Sequence, residues 1–492
     1  MPDTNSRSRL RHPGWLGIAA IAALALGGCG GGGSSGSSGS TSGSSAAMKT
    51  GSVAVLITDA PIDAFCEIRA TITGIDLLGP SGPTNLYTGS RTVNVLAMQN
   101  FTDFFTIDPS VPIGSYDKIR LTLSDLALVE CVNGEPEPES GWEHPHLPGN
   151  GKLDLNPRGT IEVIGGETLM IRLDMDMEKS LHLHQTGNGK WQFRPVIFVD
   201  VRPGDSNLVR VFGQARNVGA ASFELCPVEP VSTLGTHATV AGTECLDVFT
   251  DGQTGIFDAT GSPIGLAALA ADDPVTAIGF LTLHDDADAD TRMDDLRLDA
   301  VVLEYGPQGT FARLPGSVVS APGNNDVFVF DPSDVAPIDV LLQAGTRIFA
   351  IGSHTELTSA ALQPGATGEV NGVFTDPAVS GEPLKSSLVV LDQDTTPDVS
   401  VLDATVASLD SGGNNAEPNR FDVTVSASTQ CVKTDATTVY LQVTESSNAS
   451  ETAEIAFANL AVGDKVDVYG KTDPVDSTCV LAGTVQKYVT GP

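Results

Sequence analysis

From Gly51 onward, hydrophobic and polar positions alternate in short β-branched runs broken by Gly, Pro, Asn and Asp, a pattern that predicts strands joined by turns. Val53, Val55 and Ile57 alternate with small residues, and Ile68, Thr71, Ile72 and Ile75 follow a turn at Asp59-Ala60-Pro61. Ile119 to Leu123 gives another strand. Between Thr168 and Met177 the alternation is clean. Leu169, Ile171, Leu173, Met175 and Met177 share one face, and Arg172, Asp174 and Asp176 share the other, so the pattern predicts one buried and one wet face. Asp174, Asp176 and Glu178 accordingly read as a solvated strand face. Val196 to Val201 closes the region. Seven or eight such strands with few helical windows predict an all-β, antiparallel β-sandwich over residues 51–202.

After Pro203 the informative signal is an internal repeat. Pro263–Gly279, Leu357–Gly372 and Ile455–Gly470 align so that Leu269, Leu362 and Leu460 correspond, as do Gly279, Gly372 and Gly470, at spacings of 93 and 98 residues. The copies span 208–305, 309–395 and 399–490. Each offers three strand-like runs, a short helical turn, a strand ending at the aligned glycine and a final strand. In the last copy the runs are Val401–Val406, Phe421–Val425 and Thr438–Val443, with Val480–Tyr488 last. Five strands with a helical turn between the third and fourth match the connectivity of a small OB-like barrel, so three tandem barrels are expected.

The N-terminus has a different texture. Arg7, Arg9 and Arg11 precede an apolar run from Trp15 to Leu26, and Leu26-Gly27-Gly28 leads to Cys29. That is a signal-peptide layout over residues 1–28, too short for a membrane span, which needs about 20 apolar residues. Leu-Gly-Gly-Cys resembles the lipobox of bacterial lipoproteins, which implies that Cys29 becomes the lipidated first residue of the mature chain. Gly30 in place of Asp after that cysteine implies, by the same resemblance, sorting to the outer membrane. Residues 29–50 then form a lipidated cysteine and a Gly/Ser tether, whose 21 residues from Gly30 to Thr50 would span about 25 Å. The Gly32-x-Ser34-x-Gly36 pattern lies inside this tether and carries no nucleophile-elbow meaning.

Export changes the reading of the cysteines. Seven are present, and setting Cys29 aside leaves six, expected to pair within modules as Cys66 with Cys131, Cys226 with Cys245 and Cys431 with Cys479. The formal charge is −34, and residues 1–28 carry three Arg against Asp3, so the chain from Cys29 onward stands at −36. A surface this acidic repels phosphate backbones, and aromatics make up only 5% of the chain, so nucleic acid is excluded as a partner.

The sharpest local chemistry is His284-Asp-Asp-Ala-Asp-Ala-Asp-Thr-Arg-Met-Asp-Asp295, between the last two strands of the first barrel. Asp286, Asp288, Asp290 and Asp294 concentrate hard oxygen ligands as calcium loops do. Thr291 stands at the turn-glycine position and Arg297 at that of the bidentate Glu, so the loop departs from an EF-hand, and a solvated acidic loop is the plainer reading. His144, His146, His182 and His184 would form a zinc or copper set only if the fold gathered them, and surface histidines are the plainer expectation. No zincin, phosphate-loop or dinucleotide fingerprint occurs, so no catalytic residues are expected.

Two resemblances bear on these modules. Gly51-Ser-Val-Ala-Val-Leu-Ile-Thr-Asp-Ala-Pro61, Leu173–Ser180 and Phe193–Ile197 resemble the bacterial lipoprotein domain of unknown function 4382, which implies an envelope lipoprotein and brings no catalytic residues. The three copies resemble the repeated domain of unknown function 5666, found in similar exported proteins. The expected role is noncatalytic, structural or protein-interacting, at the outer membrane through the lipid anchor. The alternative is a calcium-assisted module binding an envelope polysaccharide.

Overall fold

Strand β1 (Thr50–Thr58) is buried along both faces, and the fold is built outward from it. The computed structural model describes residues 50–490 apart from 60–64, 99, 133–134, 158–159, 184–190, 194, 203–206, 230–237, 240–244, 285–294, 333–335, 375–381, 394–395, 397, 411–419, 427 and 446–449. The fold is all-β, and the single α-helical turn among the described residues is α1 (Met177–Ser180). The sequence pattern explains this: β-branched residues alternate with polar ones over lengths that suit strands and leave no helical stripe.

The N-terminal module is a two-sheet sandwich. It uses β1, β2 (Glu67–Gly79), β3 (Gly82–Asn94), β4 (Thr102–Pro112), β5 (Lys118–Val129), β6 (Lys152–Leu155), β7 (Thr168–Asp174) and β8 (Phe198–Arg202). One sheet runs β8-β7-β1-β4 and the other β6-β5-β2-β3. Val53, Val55 and Ile57 meet Ile68, Ile72, Ile75, Leu121 and Ile171 in the core between them.

The structure refines two sequence expectations. First, β1 and β7 pair in parallel while the remaining sandwich pairs are antiparallel. The whole second sheet lies between these two strands in sequence, and that gives the crossover length a parallel pair needs. Second, the expected wet face is covered. Ala54, Leu56, Phe104 and Met170 point away from the sandwich core into a second core shared with the first barrel. The alternation also stops being a strand at Asp174, and Asp176 caps α1 instead.

Three five-stranded rings follow. The first comprises β9 (Val209–Arg216), β10 (Ser222–Glu229), β11 (Leu246–Phe249), β12 (Pro274–His284) and β13 (Asp295–Tyr305). The second comprises β14 (Ala312–Ser320), β15 (Val327–Pro332), β16 (Ile338–Ala350), β17 (Thr367–Phe374) and β18 (Leu384–Leu391). The third comprises β19 (Asp398–Asp410), β20 (Arg420–Val425), β21 (Ser428–Glu445), β23 (Lys465–Thr472) and β24 (Cys479–Thr490), and the strand β22 (Ser450–Ile455) pairs with β21 outside the ring and is not counted among its five. In every ring the first strand pairs with the second and the fourth, the second with the third, and the fifth with the fourth and, in parallel, the third. This is the OB-like connectivity expected from the sequence. A 3-10 turn precedes each fourth strand and seats Leu269, Leu362 or Leu460 in its own barrel core.

The aligned glycines sit where the fourth strand bulges against the fifth, and a Cβ there would stand 2.2 to 2.3 Å from the carbonyl oxygen of Asp299, Lys385 or Leu481. A threonine completes the repeat. Thr254, Thr346 and Thr438 each accept a backbone N–H three residues earlier and donate to a carbonyl of the fifth strand, Ala300, Ser386 or Ala482. They pin the break in the third strand that lets it curve around the barrel.

The modules are joined by shared sheets. β9 extends the first sandwich sheet by pairing in parallel with β4, and β22 extends the second by pairing in parallel with β6. The first and second barrels pack through the outer faces of their third, fourth and fifth strands, the third strand of the first barrel being continued by Gly255–Phe257, around Phe257, Ile278, Val302, Phe349, Leu388 and Val390. The third barrel turns that same face, carrying the buried Asp467, Tyr469 and Gln486, toward the sandwich, where the Lys179 ammonium lies 4.9 Å from the Tyr469 ring centroid.

Candidate functional site

The three stretches that carry the family resemblance meet in one place. Thr58 O accepts from Met175 N at 2.8 Å, and the buried Asp59 accepts from Met177 N through Oδ1 at 2.9 Å. Asp176 accepts from Lys179 N at 3.0 Å and forms an ion pair with the Lys179 ammonium. Ser180 Oγ donates to Asp176 O at 2.6 Å and accepts from Val196 N at 2.8 Å. The motif therefore fastens the end of β1, the turn after β7 and the approach to β8. Ala60 and Pro61 lie outside the described residues.

Asp174 and Asp176 do not form the solvated face that alternation predicts. Asp176 is 2% exposed, and Asp174 has its Oδ1 shut off from solvent without a hydrogen-bond donor. Burial and the neighbouring Asp176 push the Asp174 carboxyl up to about 6, with Arg172 and Lys179 pulling the other way. Arg172 is itself committed to Asp200 at 2.9 Å. The sequence hid this because the polar face of β7 meets other charged side chains and the end of a turn rather than water. The side chain of Glu178 lies outside the described residues.

A second polar surface lies on the first barrel. Glu224 on β10, Asp247 on β11 and Arg297 on β13 stand in register across three strands. The Arg297 guanidinium lies 4.8 Å from the Phe249 ring centroid, and its Nε is 3.0 Å from Asp299 Oδ1. Thr282 Oγ1 donates to Asp299 Oδ2 at 2.9 Å, and His284 meets Phe249 edge-on at 6.1 Å between centroids. Burial and Glu224 raise the Asp247 carboxyl, and His284 opposes them. Carboxylate acceptors, a guanidinium fork and an aromatic ring on one face suit a polyhydroxylated ligand. Reading along the chain missed this set because its members come from four strands and no local spacing links them. Arg297, weighed against the EF-hand pattern, is engaged with Phe249 and Asp299.

The calcium-loop candidates Asp286, Asp288, Asp290 and Asp294 connect β12 to β13 and lie outside the described residues, as does Cys29. His144 Nδ1 stands 2.9 Å from Asp125 Oδ1, both side chains being largely exposed, and His146 is exposed too. His182 falls in the short strand Leu181–Leu183, its side chain outside the described residues together with all of His184. Among the described residues no group of three or more His, Cys, Asp and Glu is placed to hold a metal ion. The six remaining cysteines form the three intramodular disulfides, Cys66–Cys131, Cys226–Cys245 and Cys431–Cys479, with Cα separations of 5.1, 4.1 and 4.5 Å.

A third cluster is buried where sandwich, first barrel and second barrel meet. Arg210 on β9 donates from Nε to Asp103 Oδ1 at 3.1 Å and from its terminal nitrogen to Ala97 O at 2.6 Å. Glu304 on β13 accepts from Ser387 Oγ at 2.6 Å and lies 3.9 Å from the Arg313 guanidinium of β14. Glu369 on β17 accepts from Asn100 Nδ2 at 3.1 Å. Desolvation raises both glutamates above the ordinary carboxylate range, against the pull of Arg210 and Arg313.

These observations define an all-β protein made of a sandwich fused to OB-like barrels. Residues 50–195 match the family model described as a domain of unknown function (DUF4382), which takes in nearly all of the sandwich and its motif junction. No curated protein matches the chain.

Proposed function

We propose that this is a lipid-anchored protein of the outer membrane, noncatalytic, whose sandwich and barrels act as one interaction body in the cell envelope. The observation that carries the reading is the sharing of sheets: β4 with β9 and β6 with β22 make the modules parts of one framework. Spacers that swing independently would not need backbone pairing across their boundaries. The leader with Leu26-Gly27-Gly28-Cys29 supports the anchor, and the resemblance of the repeats to domain of unknown function 5666 supports an exported setting. With three acyl chains on Cys29, at about 0.8 kcal/mol per buried methylene, detachment would be negligible. The test is Cys29→Ser in the producing cell. The native chain should incorporate labelled palmitate and sediment with outer membrane, while the variant should be unlabelled and soluble. A deletion strain should gain detergent sensitivity that only the lipidated form reverses. Equal partitioning of both forms would remove the anchor, and an unaltered deletion strain would remove the structural role.

A second reading, calcium-assisted binding of an envelope polysaccharide, is favoured by the Phe249–Arg297 face, which borders the strands that lead into Asp286–Asp294. Cosedimentation with envelope polysaccharide in calcium should then be lost in chelator, in Phe249→Ala and in the triple alanine variant of Asp286, Asp288 and Asp290. Retention unaffected by all three changes would sink it.

A further inference from the structure

Where the first two barrels meet the sandwich, the charged groups include more negative than positive ones, and Arg210, Glu304 and Glu369 among them are buried. Three carboxylates, Asp103 from β4, Glu304 from β13 and Glu369 from β17, face two guanidiniums, Arg210 from β9 and Arg313 from β14. Asn100 and Ser387 supply neutral donors. Register explains how the strands deliver them. Arg210 lies across from Ile278, which pairs with Val302, and Glu304 follows two residues later on the same outer face of the first barrel. On the second barrel Arg313 pairs with Asn371, and Glu369 lies two residues before Asn371 on the same face. Phe101, Ile278, Val302, Leu388 and Val390 pack around the group. With every group ionised, one negative charge would remain uncompensated in an apolar setting, a costly state unless a proton neutralises it.

The partners of the two glutamates differ. Each has one buried oxygen without a hydrogen bond, but that oxygen of Glu304, Oε2, lies 3.9 Å from the Arg313 guanidinium, and its Oε1 accepts from a hydroxyl, both of which favour the charged form. Glu369 receives one neutral amide donor, and its Oε1 and both polar atoms of Asn371 are buried without hydrogen-bond partners. We propose that Glu369 is a proton-binding site that couples docking of the second barrel to pH: the joint closes with Glu369 as the neutral acid and loosens when that proton is lost. A carboxyl whose proton is held more tightly in the closed joint than in the open one stabilises closure fully below the ordinary glutamate range. That stabilisation is lost as pH rises through the closed-state value. The device therefore favours a closed joint in acid and a looser one toward alkaline pH.

The test is amide hydrogen exchange on the full mature chain at pH 5.5 and pH 8, corrected for intrinsic rates and read on β14 and β17. In the native chain, protection of these strands should fall about tenfold or more between the two pH values. In Glu369→Gln, a neutral isostere, it should be high at both. Glu304→Gln removes the surplus negative charge, two carboxylates then facing two guanidiniums, so it should shrink the pH dependence without abolishing it, because Glu369 keeps its buried setting and its single neutral donor. Protection independent of pH in the native chain would overturn the proposal, and so would an unchanged pH response in Glu369→Gln. Should that variant fail to fold, carboxyl carbon chemical shifts of glutamate-labelled native chain give the same decision. One glutamate titrating well above the others supports the site, and none doing so removes it.

Discussion

Alanine at Gly279, Gly372 or Gly470 should cost roughly 3 kcal/mol each, because the added methyl meets main chain and not a side chain that can rotate away. At Gly279 the Cβ would lie 2.2 Å from Asp299 O and 2.8 Å from Ala300 Cα. At Gly470 it would lie 2.2 Å from Leu481 O. Relief would require parting the fourth strand from the fifth at the bulge, which opens the ring. Gly265→Ala is the control. It sits in the turn before β12 with nothing within 4 Å of the added atom, and it should change stability by no more than about 0.5 kcal/mol. Denaturant unfolding of the four variants decides the matter. If the three aligned positions tolerate alanine as well as Gly265 does, the bulge is not the constraint that the repeat preserves.

Asp174→Asn should stabilise the chain at neutral pH by up to roughly 3 kcal/mol, and hardly at all near pH 4. The carboxyl is raised to about 6 in the folded chain, chiefly by burial and next by Asp176. The folded state therefore holds this proton more tightly than the unfolded state does. The associated stability is complete below about pH 4 and disappears as pH rises through 6. An amide cannot ionise, so the variant avoids the cost of a buried charge above that range. Unfolding free energies of native and variant chains, measured from pH 4 to pH 8, should diverge with rising pH. Parallel curves would show that Asp174 titrates as an ordinary surface carboxylate.

Constraints that act within a few residues were legible in the sequence. The buried leucine after each helical turn and the bulge glycine belong to local geometry, so both recur at fixed spacing and expose the repeat. Thr254, Thr346 and Thr438 recur at a constant 92 residues for the same reason, although a threonine among many gives too little contrast to be noticed without its bonds. What covers an exposed-looking strand face was not legible. Alternation separates one face from the other, but a polar face pressed against another module reads the same as one in water. Asp174, Asp176, Arg210, Glu304 and Glu369 all belong to that category. The cysteine pairing was legible because module boundaries left one natural partner for each.

The packing of the first barrel on the second has an implication for how the chain came to be arranged. Phe257 and Phe349 occupy equivalent places in their copies, and so do Arg210 and Arg313, three residues before Gly213 and Gly316, where a Cβ would strike the carbonyl of the neighbouring strand. Two copies of one fold meeting through one and the same patch is the arrangement of an isologous homodimer, here contained in a single polypeptide. Covalent linkage frees the two halves from remaining identical. The charged pair on the second copy is Arg313 and Glu369, while on the first it is Arg210 and Glu304, the acid standing on the fourth strand in one copy and on the fifth in the other. The third copy presents the same patch to the sandwich, where Tyr469 lies beneath Lys179, so that half-interface is covered by a different fold instead of a sibling repeat.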